Sequence, residues 1–559
     1  VFKERKFMKK VLLTFGLCAT VLASNAQNFS SPTWTQTQTV YKQKSDAVNS
    51  APVTITADGD VIVSSSFNAG TLSVGGLVVR AVAKSSYIQK LNAAGTSQWA
   101  VALLGAAEVK SLTSDTDGNI YAVGVFADQL KLTTKTGTVA ATLQGNSGTT
   151  KSSLFILKYS KDGALLAYKS ATSSVDATVS ASGKYFYEAS EAAYVRSTKA
   201  VWANNKLYFT AQYTGVSNLD GVELKGDYLD YEGFMYVDIP RMSVLSVDAS
   251  NLSGLKKEYT VQTNVTGLGE QTGVSSLNFA VNNGTLYVAS VATGAVVVET
   301  SDKTENFNAG KDGEDLKYGF IYSEVGSTTT NKLFNGGKLA TLNSNNSIND
   351  LLVDDSNVYV AGTYNTNNVF GQSVTFQGGS DSFVAAFAKG TTNVQWVVNS
   401  GVNEGDATKY AEKVTGLVVA DNKLLLTGYT EETTEHTIKT GFVYNVTTSG
   451  TKTSVGSNVV LGLASDSKQV VTSGVNELNS VFNGYALSTT TGINQLTETN
   501  DVVRNGNVFS FEKAQDAVVV DLQGRVVLRA SNTTNLSVGN LVKGVYVLKV
   551  GTKAVKFVK

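Results

Sequence analysis

One short pattern, repeated along the chain, constrains the fold more than any other feature. A polar turn of Asp, Asn and Gly leads into a strand of β-branched and aromatic residues that ends near Gly or a small residue. It reads Asp58-Gly-Asp-Val-Ile-Val-Ser, Asp117-Gly-Asn-Ile-Tyr-Ala-Val-Gly124, Asn204-Asn-Lys-Leu-Tyr-Phe-Thr-Ala211 and Asn283-Gly-Thr-Leu-Tyr-Val-Ala289. It returns as Asp355-Ser-Asn-Val-Tyr-Val-Ala-Gly362, Asp421-Asn-Lys-Leu-Leu-Leu-Thr-Gly428 and Asp466-Ser-Lys-Gln-Val-Val-Thr-Ser-Gly474. These are about seven copies, spaced irregularly by roughly 45 to 90 residues. Loops absorb the uneven spacing, because each doubling of a loop costs only about 0.6 kcal/mol. Helical periodicity is nearly absent, and Thr, Ser, Val and Gly dominate, as strands and turns require.

A second element follows several copies. Tyr87-Ile-Gln-Lys-Leu-Asn-Ala-Ala-Gly95 precedes Gln98-Trp99, and Leu154-Phe-Ile-Leu-Lys-Tyr-Ser-Lys-Asp-Gly163 precedes Leu165-Leu-Ala-Tyr168. Gly379-Ser-Asp-Ser-Phe383-Val-Ala-Ala-Phe387 precedes Gln395-Trp396. Each is strand, turn, strand. This resembles the seven-bladed β-propeller repeat family, whose blades carry Gly, Asp-x-Phe-Val-x-Lys, Gly and Trp in that order. The best match is Gly379 to Trp396, with Ala386 at the usual basic position. The resemblance covers roughly residues 50 to 490, strongly in three blades.

Blades that pack face to face bury their inner strands on both sides. Leu207-Tyr-Phe and Val358-Tyr-Val are apolar runs of that kind. A closed ring removes the long exposed edges of an open sheet. Thr33-Trp34-Thr-Gln-Thr-Gln-Thr-Val40 looks like an outer strand with no blade of its own, so it is expected to pair near Leu478 to Glu498 and close the ring.

The termini carry addresses. Lys9-Lys10, an apolar run from Val11 to Ala23, and Ser24-Asn25-Ala26 before Gln27 describe a secretory signal with cleavage between Ala26 and Gln27. The residues before Met8 read as an over-extended start. Cys18, the only cysteine, would leave with the signal, so the mature chain would have neither thiol nor disulfide. At the other end stand Asp521-Leu-Gln-Gly524-Arg525, Gly544-Val-Tyr546 and the closing Lys556-Phe-Val-Lys559. This resembles the C-terminal sorting domain of the type IX secretion system of Bacteroidetes. The resemblance implies a small β-sandwich tail with Gly524, Arg525, Gly544, Tyr546 and Lys559 as the sorting signal. It also implies a translocon and a sortase as partners, and a final place outside the cell or on its surface. The expected architecture is all-β: a cleavable N-terminal signal helix over 1–26, a seven-bladed β-propeller over 27–498, and a small C-terminal β-sandwich over 499–559. No transmembrane segment is expected in the mature chain.

The inventory of reactive residues is sparse. The single histidine, His436, lies in Glu431-Glu-Thr-Thr-Glu-His-Thr, a polar hairpin loop. A His-centred triad and a zinc site need more than this. Asp115-Thr-Asp117-Gly118-Asn119 resembles the start of a calcium loop, but no Glu follows at the distal ligand spacing. A turn before a strand explains every copy. No metal and no cofactor is expected. Lys plus Arg and Asp plus Glu both number 46, and no basic stripe appears, so nucleic acid is not an expected partner.

Carboxylates are harder to set aside. Asp227, Asp230, Glu232 and Asp238 stand among Tyr228, Tyr231 and Tyr236, and the Lys184 to Arg196 segment adds Tyr185 and Tyr187. Aromatic rings beside carboxylates suit a sugar or peptide ligand. The same tyrosines also suit the cover of an elongated blade edge. The first expectation is therefore a secreted or surface-attached binding or display protein without enzymatic activity, taking an unknown glycan or protein ligand at these five tyrosines. The alternatives are a carboxylate-dependent glycan-cleaving enzyme and a structural surface-layer component. A pair of acids facing each other at the channel mouth would favour the enzyme.

Overall fold

The computed structural model describes residues 31–40, 50–146, 152–177, 181–182, 185–186, 193–231, 235–264, 272–312, 315–326, 329–338, 346–376, 379–399, 410–420, 423–432, 434, 438–476, 479–487, 502–521, 525–550 and 553–559. The expected signal segment with its Ala26–Gln27 exit and the expected border at 498/499 lie outside these residues. The chain divides into two compact all-β units, Val1–Leu487 and Ser488–Lys559.

In the larger unit, each repeated turn connects the first and second strands of an antiparallel meander. Successive antiparallel meanders, three of them in sheets widened by further strands, start at Val53–Ile55, Ala107–Ser114, Ala200–Ala203, Gly273–Asn282, Ser347–Val353, Tyr410–Ala420 and Gly462–Ser465. These first strands touch one another in that order, and the last touches the first, so the cycle is closed. The seventh meander takes its fourth strand from the other end of the unit. Trp34–Thr39 pairs with Asn479–Ala486, from Trp34 opposite Gly484 to Thr39 opposite Asn479. This is the pairing expected of the unassigned Trp34 strand.

The turn chemistry explains the registers. Asn204–Asn205 and Asn283–Gly284 have positive φ at both positions and join strands paired up to the turn. Two-residue loops of this kind match the right-handed twist of the strands they connect. Elsewhere an aspartate organises a longer turn. Asp115 Oδ1 accepts from the amides of Asp117 and Asn119 at 3.0 and 2.8 Å, while Oδ2 accepts from Asn119 Nδ2 and Tyr121 Oη at 2.8 and 3.0 Å. Asp354 repeats the arrangement with Ser356, Asn357 and Tyr359. The segment that looked like a calcium loop thus spends its carboxylate on the turn and on the repeat tyrosine.

Apolar layers fill the spaces between meanders. Ile62, Ile88 and Val101 of the first pack against Leu112, Ala122 and Leu157 of the second. Tyr359 and Ala386 of the fifth pack against Leu417 and Leu426 of the sixth. Each such aliphatic or aromatic side chain contributes about 1.5–3 kcal/mol on burial. Tryptophans add directional seams. Trp99 Nε1 donates to Lys161 O at 3.0 Å, and Trp396 Nε1 to Thr448 O at 2.8 Å, both in a turn of the following meander. The indole lies flat on that turn's glycine. A Cβ on Gly163 would stand 2.9 Å from Trp99, so only glycine fits.

The smaller unit contains Val502–Asn505, Val508–Asp521, Val526–Ser537, Val545–Val550 and Lys553–Val558. The expected sandwich takes the form of one hydrogen-bonded five-stranded sheet rather than two separate ones. The pairing of Val508–Asp521 with Val526–Ser537 shifts register between Ser510 and Ala517. Such irregularities bend a strand, and the sheet wraps a single core. Phe509 and Phe557, from strands that are not neighbours in the sheet, meet at 4.9 Å between ring centroids. Arg525 Nε donates to Asp521 Oδ2 at 2.7 Å, and Tyr546 Oη to Val542 O at 3.0 Å. The amide of Lys559 donates to Gly544 O at 2.9 Å. Gly524 lies outside the described residues.

Candidate functional site

The third meander carries an insertion between its second and third strands. Part of it is the hairpin of Asp227–Tyr231 and Met235–Ile239. Tyr228 pairs with Asp238, and Asp230 with Tyr236. Directly opposed residues share a face, and so do residues two apart on one strand. Two Tyr-x-Asp segments folded against each other therefore set Tyr228, Asp230, Tyr236 and Asp238 on one face as a checkerboard. The two tyrosine rings meet edge to face, 6.3 Å apart. The two acids take the other diagonal, where β-carbons stand roughly 7–8 Å apart or somewhat less.

The hairpin's aspartates have different surroundings. Asp227 is gripped by Arg241, whose Nε lies 3.0 Å from both carboxylate oxygens and whose Nη2 lies 2.6 Å from Oδ1. Asp176, packed beside the hairpin, is ion-paired with Lys225, and its amide donates to Tyr228 Oη at 3.2 Å. Asp238 has buried carboxylate oxygens with no hydrogen-bond partner among the described residues. Burial without compensation disfavours the charged form, and its pKa is pushed up to about 7. Burial, with Asp238 and Asp176 nearby, pushes the Tyr228 phenol up to about 12.

Of the five tyrosines singled out in the sequence, Tyr228 and Tyr236 come together on this face. Tyr231 sits in the same hairpin, opposite Met235 in register, and Tyr185 pairs in parallel with Met235 from outside it. Tyr187, Glu232 and His436 lie outside the described residues.

A second feature lies among the first strands. A cavity of about 380 Å³ has wall residues from all seven meanders. Asp350 is its one acidic lining residue among those described, so no acidic pair faces across it. Asp350 Oδ1 accepts from Lys199 Nζ at 2.6 Å and from the amide of Leu351 at 2.9 Å, and Oδ2 accepts from the amide of Leu417 at 2.9 Å. Lys199 also donates to Asn278 Oδ1 at 2.8 Å. The network ties four consecutive meanders together. Sequence reading missed it, although a signal was present. Lys199, Asn278 and Asp350 each stand nine residues before the repeat tyrosine, at Tyr208, Tyr287 and Tyr359. They are equivalent positions in successive repeats.

No family model and no curated protein matches the sequence. Solved structures do match. They include the polysaccharide lyase Uly1, at 11% identity over 78% of this chain and 77% of that one, with a TM-score of 0.33. The hydrazine synthase of Kuenenia stuttgartiensis matches at 8% identity over 79% and 97%, with a TM-score of 0.37. A sialidase of Trypanosoma rangeli matches at 10% identity over 70% and 56%, with a TM-score of 0.33. At these values no activity transfers from them. The expectation of a protein without enzymatic activity is corrected: the structures that match include enzymes, among them a polysaccharide lyase and a sialidase. Carboxylate chemistry needs neither His nor Cys, and the hairpin holds a buried carboxyl without a hydrogen-bond partner among the described residues. No helix among the described residues is long and apolar enough to cross a membrane.

Proposed function

We propose that this chain is an exported seven-bladed β-propeller that cleaves a glycan by carboxylate chemistry at the Asp227–Ile239 hairpin. The observation that carries the reading is Asp238. A buried carboxyl without a partner destabilises the fold that holds it, and such groups cluster at sites where a proton must be kept near neutral pH. With its pKa near 7, Asp238 keeps a proton near neutral pH, as the general acid for a departing glycosidic oxygen must. Asp230, on the same face and diagonal to it, is the second carboxyl such a reaction requires. Tyr228 and Tyr236 offer ring faces with polar tips against which a sugar packs.

The closed cycle of first strands, and the seventh meander's completion by Trp34–Thr39, support the propeller reading. The separate C-terminal unit, with Gly544 and Lys559 joined by backbone hydrogen bonds, supports a type IX sorting role and delivery to the cell surface or medium. Two experiments test the whole. The secreted protein, incubated with a panel of plant, microbial and host polysaccharides, should release reducing ends from at least one. Asp238→Asn should cut that release by about 10²–10³-fold. A wild type silent on every polysaccharide, or a variant as active as wild type, overturns the cleavage reading. Deleting residues 544–559 should hold the protein in the periplasm, and unchanged export refutes the sorting role.

A further inference from the structure

We propose that the axial cavity is a binding site for a small hydroxylated carboxylate, of the kind a uronic acid supplies, with Arg196 as its anion clamp. The charges on the wall point to Arg196. Lys199 is neutralised by Asp350, and Lys110 by Glu108 at 2.8 Å. Arg196 has no carboxylate at ion-pair distance among the described residues. Its Nε donates to Ser152 Oγ at 3.2 Å, and its guanidinium lies 4.1 Å from the centre of the Tyr194 ring. The Nε bond and the ring hold the planar group in place, which lowers the ordering cost of binding. A guanidinium so held leaves its terminal nitrogens to meet a carboxylate through two parallel hydrogen bonds.

The neighbours fit the rest of such a ligand. Gln212 stands directly opposite Arg196 in register, and Met242 directly opposite Gln212. All three line the cavity. This row sets a cation, an amide and an apolar contact side by side, which suits a carboxylate, a hydroxyl and a ring face. The volume of about 380 Å³ falls in the range of about 300–1,000 Å³ usual for small-molecule sites. The inference does not rest on cleavage at the hairpin. It names a ligand for a different place on the same meander.

Calorimetry on the secreted protein tests it, with D-glucuronate and D-galacturonate as probes and D-glucose as the neutral control. Saturable binding of at least one uronate and none of glucose is expected. Arg196→Ala should weaken it at least roughly tenfold. Arg196→Lys keeps the charge but loses the planar fork, and should also weaken it several-fold. Asp238→Asn should bind as wild type does, which separates this site from the hairpin. If Arg196→Ala does not fold, the Lys variant carries the test. Absence of uronate binding, equal binding of glucose, or unchanged affinity in the Arg196 variants would overturn the proposal.

Discussion

Asp350 and Asp238 are the same side chain in opposite circumstances. Asp350 meets a lysine and two backbone amides, at distances of 2.6 to 2.9 Å. Asp238 meets no hydrogen-bond donor among the described residues, although its oxygens are buried. The first carboxylate links meanders far apart in sequence. The second stabilises nothing, and burial alone holds its proton near neutral pH. The difference teaches where a fold of this kind keeps structural charge and where it keeps reactive charge. The acid at one repeat-equivalent position, Asp350, is paired across the ring, whereas Asp238 on an inserted hairpin is left uncompensated.

Four changes break or sharpen this contrast. The largest effect belongs to Asp238→Asn. It should lower glycan release by about 10²–10³-fold, or about 3–4 kcal/mol in the barrier, with unfolding at pH 4 unchanged. Asp350→Ala should do the reverse. It leaves Lys199 without its counter-charge and the Leu417 amide without its acceptor, and should cost about 2–3 kcal/mol in a urea titration, with kcat little altered. Replacing both partners, Lys199→Met with Asp350→Leu, should cost less than the single change, because no lone charge remains.

The third effect is a pH dependence. The folded pKa of Asp238, about 7, lies above its ordinary 3.8. Between those values the folded chain keeps a proton that the unfolded chain has shed. Stability therefore falls as pH rises from about 4 to about 7 and changes no further from this group above that. Asp238→Asn removes this loss, so the variant should exceed wild type by about 1 kcal/mol at pH 8, after discounting for partial exposure, and match it at pH 4. The smallest effect is that of Tyr228→Phe. It leaves the Asp176 amide without its phenol acceptor and should cost about 0.5–1 kcal/mol. The pKa of Asp238 should barely move, because its cause is burial.

The repeats, the closing Trp34 strand and the aromatic-acidic insertion were all legible in the sequence, because turn residues and strand periodicity are local signals. The checkerboard was half legible. Tyr228-Leu-Asp230 and Tyr236-Val-Asp238 announce it once a hairpin is assumed, but the turn between them carries no Asn-Gly signal. Which aspartate stays unpaired was not legible. That depends on Arg241 reaching Asp227 and on Lys225 reaching Asp176 rather than Asp238. The Lys199–Asp350 pair, 151 residues apart, depends on closing the ring. The division of the chain after Leu487 is a property of packing rather than of composition.

The most direct measurement is a carbon-13 NMR titration of the aspartate carboxyls in the whole protein, with Asp238→Asn to assign the resonance. The account expects one carboxyl that titrates near pH 7 and vanishes in the variant. A resonance for Asp238 that titrates near pH 4, with the other aspartates, would contradict it.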